Sequence, residues 1–240
     1  MSNINCFDDI KHAYYINLEH RTDRKKHVTN QFEQIGLQVN RFNAIQMKNG
    51  AIGCSMSHLK LLQTAILNDF EHILIVEDDI KFLDPELFKT QFNKFIEVHG
   101  NNWDVILFAG NNVPPYKKID DTCIKVTRCQ TTTGYLVNGH YIKTLMQNVK
   151  QGLTNLLNRP DDRKQFAIDV FWFNLQFKDR WYLITPPTVV QREDYSDIEE
   201  RVVNYEKLMV DLDKEALMRH QMAMRQHHQQ QQQFGKMKFA

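Results

Sequence analysis

Glu77-Asp78-Asp79 sets three carboxylates side by side, directly after His72 to Val76 (HILIV), a short β-branched run that reads as a buried strand. The carboxyl edge of strands in an open α/β sheet is where ligands bind. Such carboxylates can also cap the next helix, but Asp84-Pro85 already supplies that start signal. Left unneutralised they repel: at ~5 Å and an effective dielectric of ~20, each pair costs roughly 3 kcal/mol. A divalent cation reverses that sign. Hard oxygen ligands favour Mg²⁺ or Mn²⁺, which typically link one or two carboxylates to substrate phosphates.

Three further groups carry chemical potential. Arg21, Arg24, Lys25 and Lys26 stand in or just before the first turn of a predicted helix, where the helix dipole disfavours cations unless an anion is bound. Solvated basic side chains softened by Asp23 explain Lys25 and Lys26; for Arg21 and Arg24 solvation and anion binding both remain open. Gly53-Cys54-Ser55-Met56-Ser57-His58 reads as a small-residue turn opening a helix and permitting close approach of a ligand. That makes Ser57 and His58 candidates for contact with a bound ligand. The Gly-x-Ser-x-Gly elbow of serine nucleophiles is absent, and His58 has a second reading as a helix-start or core histidine. Asp169 lies in the apolar stretch FAIDVFWF, where a lone carboxylate is costly unless paired or functional. It is either a general base of raised pKa or a helix cap accepting from Phe171 or Trp172. Trp172 is open between core and stacking on a bound ligand, whereas Trp181 reads as core.

The elements that position these groups alternate. Strands are expected at Ala13 to Leu18, Leu37 to Phe42, His72 to Val76 and Trp103 to Phe108. Helices are expected at Asp23 to Ile35, Ser55 to Leu67 and Asp84 to His99, with Val28, Phe32 and Ile35 or Phe88, Phe92 and Phe95 on single faces. This predicts an α/β fold: a Rossmann-like, mostly parallel sheet flanked by helices. The remainder is less regular, with short strands near Ile124 to Thr127 and Gly134 to Val137, helices at His140 to Val149 and Ile168 to Phe177, and a late strand at Trp181 to Ile184. Ser196 and Glu199 fit a capping box that opens a helix running beyond Arg219. Residues 1–219 are expected to form one domain, and 220–240, with Gln229 to Gln233, a low-complexity tail.

Composition narrows the classes. The 240 residues are 42% apolar and 25% charged, ordinary for one globular domain, and the net charge of +1 creates no global pull on nucleic acid. No stretch approaches the roughly 20 apolar residues of a membrane span. The polar start MSNINCFDDIKH and the four cysteines, with no C-x-x-C pair, suggest a cytoplasmic protein of reduced thiols without zinc or disulfides. Two other classes fit less well: a protein in which Glu77 to Asp79 holds structural Ca²⁺, and a scaffold built on the C-terminal helix. The stripe Tyr205, Leu208, Leu212 and Glu215-Ala216 is too short for a coiled coil.

In order, INLEHRTDRKK, GCSMSH and LIVEDDI resemble glycosyltransferase family 25, which includes bacterial lipooligosaccharide and collagen hydroxylysine galactosyltransferases. TTTGYLV, FAIDVFWF and PPTVVQREDYSDI look like its later blocks, so the likeness covers about residues 12 to 200. The resemblance implies a GT-A-like fold, a UDP-sugar donor, a Mn²⁺-type ion, inversion at the anomeric carbon and an acceptor hydroxyl on a glycan or protein. Asn17, Arg21 and Arg24 would line the donor, Glu77, Asp78 and Asp79 would form the metal motif, and an aspartate is expected in the block of Asp169.

Overall fold

Buried strands in this chain are hydrophobic on both faces, which requires helices on both sides of the sheet. The computed structural model describes residues 4–196, 198, 201–215, 219 and 222. In chain order come β1 (Ala13–Asn17), α1 (Thr22–Ile35), β2 (Asn40–Asn43), α2 (Gly50–Leu67), β3 (His72–Glu77), β4 (Ile80–Phe82), α3 (Pro85–His99) and β5 (Val105–Leu107). The less regular half holds β6 (Asn111–Asn112), β7 (Lys117–Lys118), β8 (Cys123–Lys125), β9 (Cys129–Gln130), β10 (Gly134–Asn138) and α4 (Gly139–Asn158). After these lie α5 (Arg163–Phe166), α6 (Ile168–Phe171), α7 (Phe173–Lys178), β11 (Trp181–Ile184), β12 (Val189–Gln191), β13 (Asp194–Ser196), β14 (Arg201–Val203) and α8 (Glu206–Val210).

Eight strands form one sheet in the order β2-β1-β3-β10-β5-β11-β8-β7. β1 runs parallel to β2 and β3, and β11 parallel to β5. β10 is antiparallel to both β3 and β5, and β8 to both β11 and β7. Following these directions across the sheet, β10 and β8 alone oppose the other six, so the expected mostly parallel sheet is present. Alternate residues of β3 serve opposite layers. Leu74 and Val76 pack with Val28, Phe32, Phe88 and Phe92 of α1 and α3. Ile73 and Ile75 pack with Leu61, Leu62, Leu145 and Trp172 on the other side. Trp172 and Trp181 are both fully buried with ring centroids 5.2 Å apart, which makes Trp172 a core residue.

Local signals bound α1 and α3 as expected. Gly36 closes α1 at φ 74°, and Asp84 caps α3 by accepting from the Leu87 amide at 3.0 Å. Helix α2 differs: Asn49 caps it through the amides of Ala51 and Ile52, so it starts at Gly50 rather than Ser55. Gly53 to His58 therefore lie inside the helix. The close approach that needs a glycine is made by the chain itself, since a Cβ on Gly53 would sit 2.5 Å from the Ile45 carbonyl oxygen. The expected helix from Ile168 to Phe177 is broken at Trp172 into α6 and α7. No helix opens at Ser196 among the described residues: Ser196 ends β13, which pairs with β14, and α8 follows at Glu206–Val210, while the expected course beyond Arg219 lies largely outside the described residues. Hairpin pairing and burial of Val203 and Met209 override the local cap signal there. Glu199 and the tail, Met222 apart, lie outside the described residues. No helix among the described residues is long and apolar enough to cross a membrane.

Asp104, just before β5, fastens three elements. Its Oδ2 accepts from the Arg180 amide at 2.8 Å, and its Oδ1 accepts from the Arg180 guanidinium at 2.5 Å and faces His140 Nε2 at 2.7 Å. Burial opposes ionisation, yet Arg180 and His140 outweigh it and hold the carboxyl below its ordinary value. A depressed acid contributes stability above its unfolded pKa of about 4 and loses it as pH falls through the folded value. With Arg180 partly exposed, Asp104→Asn is expected to cost about 1–2 kcal/mol at pH 7 and much less at pH 3. Urea unfolding at both pH values checks this; an equal loss at pH 3 would remove the carboxylate charge from the explanation.

Candidate functional site

The parallel strands deliver their carboxyl ends to one edge, and β3 leaves Glu77-Asp78-Asp79 there. Asp78 accepts from Asn17 Nδ2 at 2.6 Å and from Arg24 Nη1 at 2.9 Å. Asn17, at the end of β1, also donates to the Arg21 carbonyl, and its Oδ1 accepts from Arg41. One oxygen of Asp79 accepts from Gln191 Nε2 at 2.7 Å and from Arg24 Nη1 at 3.3 Å. The other, Oδ1, is buried with no hydrogen-bond partner. Burial and the neighbouring Glu77 push the Asp79 pKa up to about 7, against the pull of Arg24. Burial also raises that of Asp78, again opposed by Arg24. For Glu77 burial acts upward too, but His58 and the Thr132 hydroxyl, which donates at 2.7 Å, outweigh it and keep the carboxyl low. Charge therefore rests on Glu77 and is costly on Asp79.

The arginines at the start of α1 find their anions within the chain. Arg21 pairs with Asp23 at 3.1 Å and with Asp194 at 3.1 Å. Arg24 holds Asp194 through Nε at 3.0 Å while its Nη1 reaches Asp78 and Asp79, and its Nη2 donates to the Tyr195 carbonyl. Arg192 joins the same Asp194 oxygen at 2.9 Å. Burial disfavours the Arg24 charge, but Asp79, Asp78 and Asp194 more than compensate. Lys25 and Lys26 are exposed, as solvated side chains would be. Asp194 has no local sequence signal beyond its place in the PPTVVQREDYSDI block.

Ser57 is committed to the fold: its Oγ donates to the Gly53 carbonyl at 2.8 Å and accepts from the Ile45 amide at 2.9 Å. His58 is fully buried in α2 rather than at a helix start, with Nδ1 2.7 Å from Tyr135 Oη and Nε2 3.8 Å from Glu77 Oε1. Asp169 accepts from the Thr131 amide at 3.2 Å. The amides of Phe171 and Trp172 bond instead to the carbonyls of Ala167 and Ile168, so Asp169 does not cap its helix as one reading required. Thr131 is held at φ 80°, a left-handed conformation that a β-branched residue adopts only under constraint. Burial, reinforced by Glu77, raises the Asp169 pKa against that amide bond.

Two cavities of about 400 and 410 Å³ meet at this edge, within the range that takes small ligands. One is lined by Arg21, Arg24, Lys48, Asp78 and Asp79. The other is lined by Thr131, Thr132, Arg163, Lys164 and Asp169. Cys54, Glu77, Gln191, Ser196 and Ile198 belong to both, so Glu77 stands on the common wall. The structure thus brings Asn17, Arg21, Arg24, His58, Glu77, Asp78, Asp79 and Asp169 to one region, with Ser57 supporting it.

The family model for "Glycosyltransferase family 25 (LPS biosynthesis protein)" matches residues 10–51 and 46–172. A glycosyltransferase 25 family member of Anopheles gambiae is 25% identical over 181 residues, covering 62% of this chain and 30% of its own. A counterpart in Aedes aegypti is 25% identical over 172 residues, 58% of this chain and 28% of its own. The chain thus spans less than a third of the length of these relatives. Among solved structures, a glycosyltransferase involved in glycosylation of the major capsid of PBCV-1 aligns with a TM-score of 0.48 and 11% identity, over 75% of this chain and 91% of its own. Since the family match extends over more than half of the 240 residues, the chain belongs to glycosyltransferase family 25.

Proposed function

We propose that this chain is an inverting glycosyltransferase that moves a hexose, galactose or glucose, from a UDP-sugar to a hydroxyl of a glycan or protein acceptor. The observation that carries the reading is the pair of cavities meeting at Glu77, one against Asp78 and Asp79 and the other against Asp169. A transferase needs two substrates brought together at one reacting centre, and a simple binding module does not.

In this reading the donor occupies the cavity between α1 and α2. Asn17, Arg21, Arg24, Ser57 and His58 form or support its walls, with the arginines facing the diphosphate. The residues suit a hard divalent ion, Mn²⁺ or Mg²⁺, because Asp79 keeps a buried oxygen without a partner beside two further carboxylates. Asp79 with Asp78 or Glu77 would hold it, and the ion would supply charge neutralisation for the departing diphosphate. Arg24 serves as internal counter-ion to the same carboxylates; its release toward the donor would come with donor binding. The acceptor enters the second cavity, where Asp169 is the base that takes the hydroxyl proton. Its burial raises its basicity toward neutral pH, and general-base catalysis contributes about 10²- to 10⁴-fold. The Thr131 amide fixes the carboxylate while leaving its second oxygen for the substrate.

Three outcomes follow from these roles. Asp79→Asn removes a buried charge with one unpartnered oxygen, so thermal stability should hold or rise while metal-supported donor hydrolysis is lost; retention of that hydrolysis in EDTA-treated buffer would sink the metal role. Asp169→Asn should keep UDP affinity and melting temperature while transfer falls at least about a hundredfold. Near-normal transfer would take Asp169 out of the mechanism. Arg21→Ala should weaken UDP binding about tenfold by calorimetry, the value of one charge-assisted contact of about 1.4 kcal/mol. Unchanged affinity would confine Arg21 to its pairs with Asp23 and Asp194.

A further inference from the structure

We propose that Cys54, His58 and Glu77 form a second cation site, suited to a borderline-soft divalent ion of the zinc class and distinct in donor chemistry from the all-oxygen site centred on Asp79. Helix α2 places Cys54 and His58 one turn apart, so both side chains reach the end of β3 from the same helix face. Cys54 Sγ and His58 Nε2 each lie 3.8 Å from Glu77 Oε1, and the three ligand atoms all fall within 4.8 Å of one another. Tetrahedral zinc, with bonds of about 2.0–2.3 Å, holds its ligands roughly 3.5 Å apart, so modest contraction closes the set.

The second observation is the state of His58. It is fully buried, and its Nε2 has no hydrogen-bond partner although it points at a carboxylate. If the ring proton sits on Nδ1 and is donated to Tyr135 Oη, a bare Nε2 lone pair faces the negative Glu77. If the proton sits on Nε2, it faces Glu77 and helps keep that carboxyl low, but at 3.8 Å the attraction is electrostatic only and the buried N–H makes no hydrogen bond. A cation between the two removes both difficulties. The outer contacts are those of a supported metal site: Tyr135 orients the imidazole and the Thr132 hydroxyl orients Glu77. Cys54 and Glu77 border both cavities, which gives the ion a path in and leaves a coordination position open.

A cysteine–histidine nucleophile explains the cluster less well. Such a nucleophile needs a stabilised thiolate, whereas burial and Glu77 drive the Cys54 thiol well above its ordinary pKa. On binding, the thiol releases its proton to solvent as the sulfur–metal bond forms.

The test uses the full chain, stripped with EDTA and dialysed, with Co²⁺ as the probe. The wild type should show a near-ultraviolet thiolate-to-cobalt charge-transfer band that saturates at one ion per chain. Cys54→Ser, nearly isosteric, should lose that band with unchanged circular dichroism, while Cys6→Ser keeps it. His58→Asn should weaken Co²⁺ binding at least about tenfold; if that variant does not fold, Cys54→Ser decides alone. The tail histidines His227 and His228 bring no thiol and cannot mimic the band. No band in the wild type, a band that survives Cys54→Ser, or a folded His58→Asn of undiminished affinity would each overturn the site.

Discussion

Arg24 is the constraint on which the edge of the sheet depends. Three carboxylates in sequence and a fourth from the C-terminal hairpin cannot all stay ionised near one another in a poorly solvated cleft without a cation. Arg24 supplies it by reaching Asp78, Asp79 and Asp194 with one planar guanidinium. A fork of fixed geometry does this better than a lysine, because it meets several oxygens at once. The arrangement joins parts of the chain that are 170 residues apart and ties β13 to the start of α1. It also leaves Asp79 incompletely satisfied, with one buried oxygen unpartnered. Residual imbalance of this kind is expected where a site awaits a ligand, since complete satisfaction would leave nothing for the ligand to supply.

Much of the fold was legible because it was local. The β-branched run before Glu77, the phenylalanine stripe of α3 and the Gly36 stop each state their structure within a few residues. The place of the acidic motif was legible for the same reason: the buried strand run ends directly at Glu77. What the sequence concealed was long-range. Ser196 carries a helix-start pattern, yet pairing of β13 with β14 wins because it buries Val203 and brings Asp194 to three arginines. Gly53 to His58 looked like a turn because small residues favour turns. Asn49, four residues before Gly53, had already begun the helix.

The site residues divide along the same line. The oddity of Arg21 and Arg24 at a helix amino end was visible, but the anions that answer it come from the chain itself. Asp169 was identified from its apolar surroundings; its partner Thr131, in a strained backbone conformation, was not, since a single sequence gives no sign of a positive φ at threonine. Cys54, His58 and Glu77 carry no sequence signal as a group, because the carboxylate lies some twenty residues beyond the cysteine and histidine and only the fold brings the three together.

The central claim is that Arg24 holds the acidic edge in trust for a divalent ion that arrives with the donor. Electron paramagnetic resonance of free Mn²⁺, titrated against the full chain with and without UDP, tests it most directly. The account predicts weak Mn²⁺ binding alone, because Arg24 competes for the same carboxylates, and binding at least about tenfold tighter once the diphosphate is present to engage the arginine and the ion together. Mn²⁺ binding of equal strength with and without UDP, or none in either case, would contradict it.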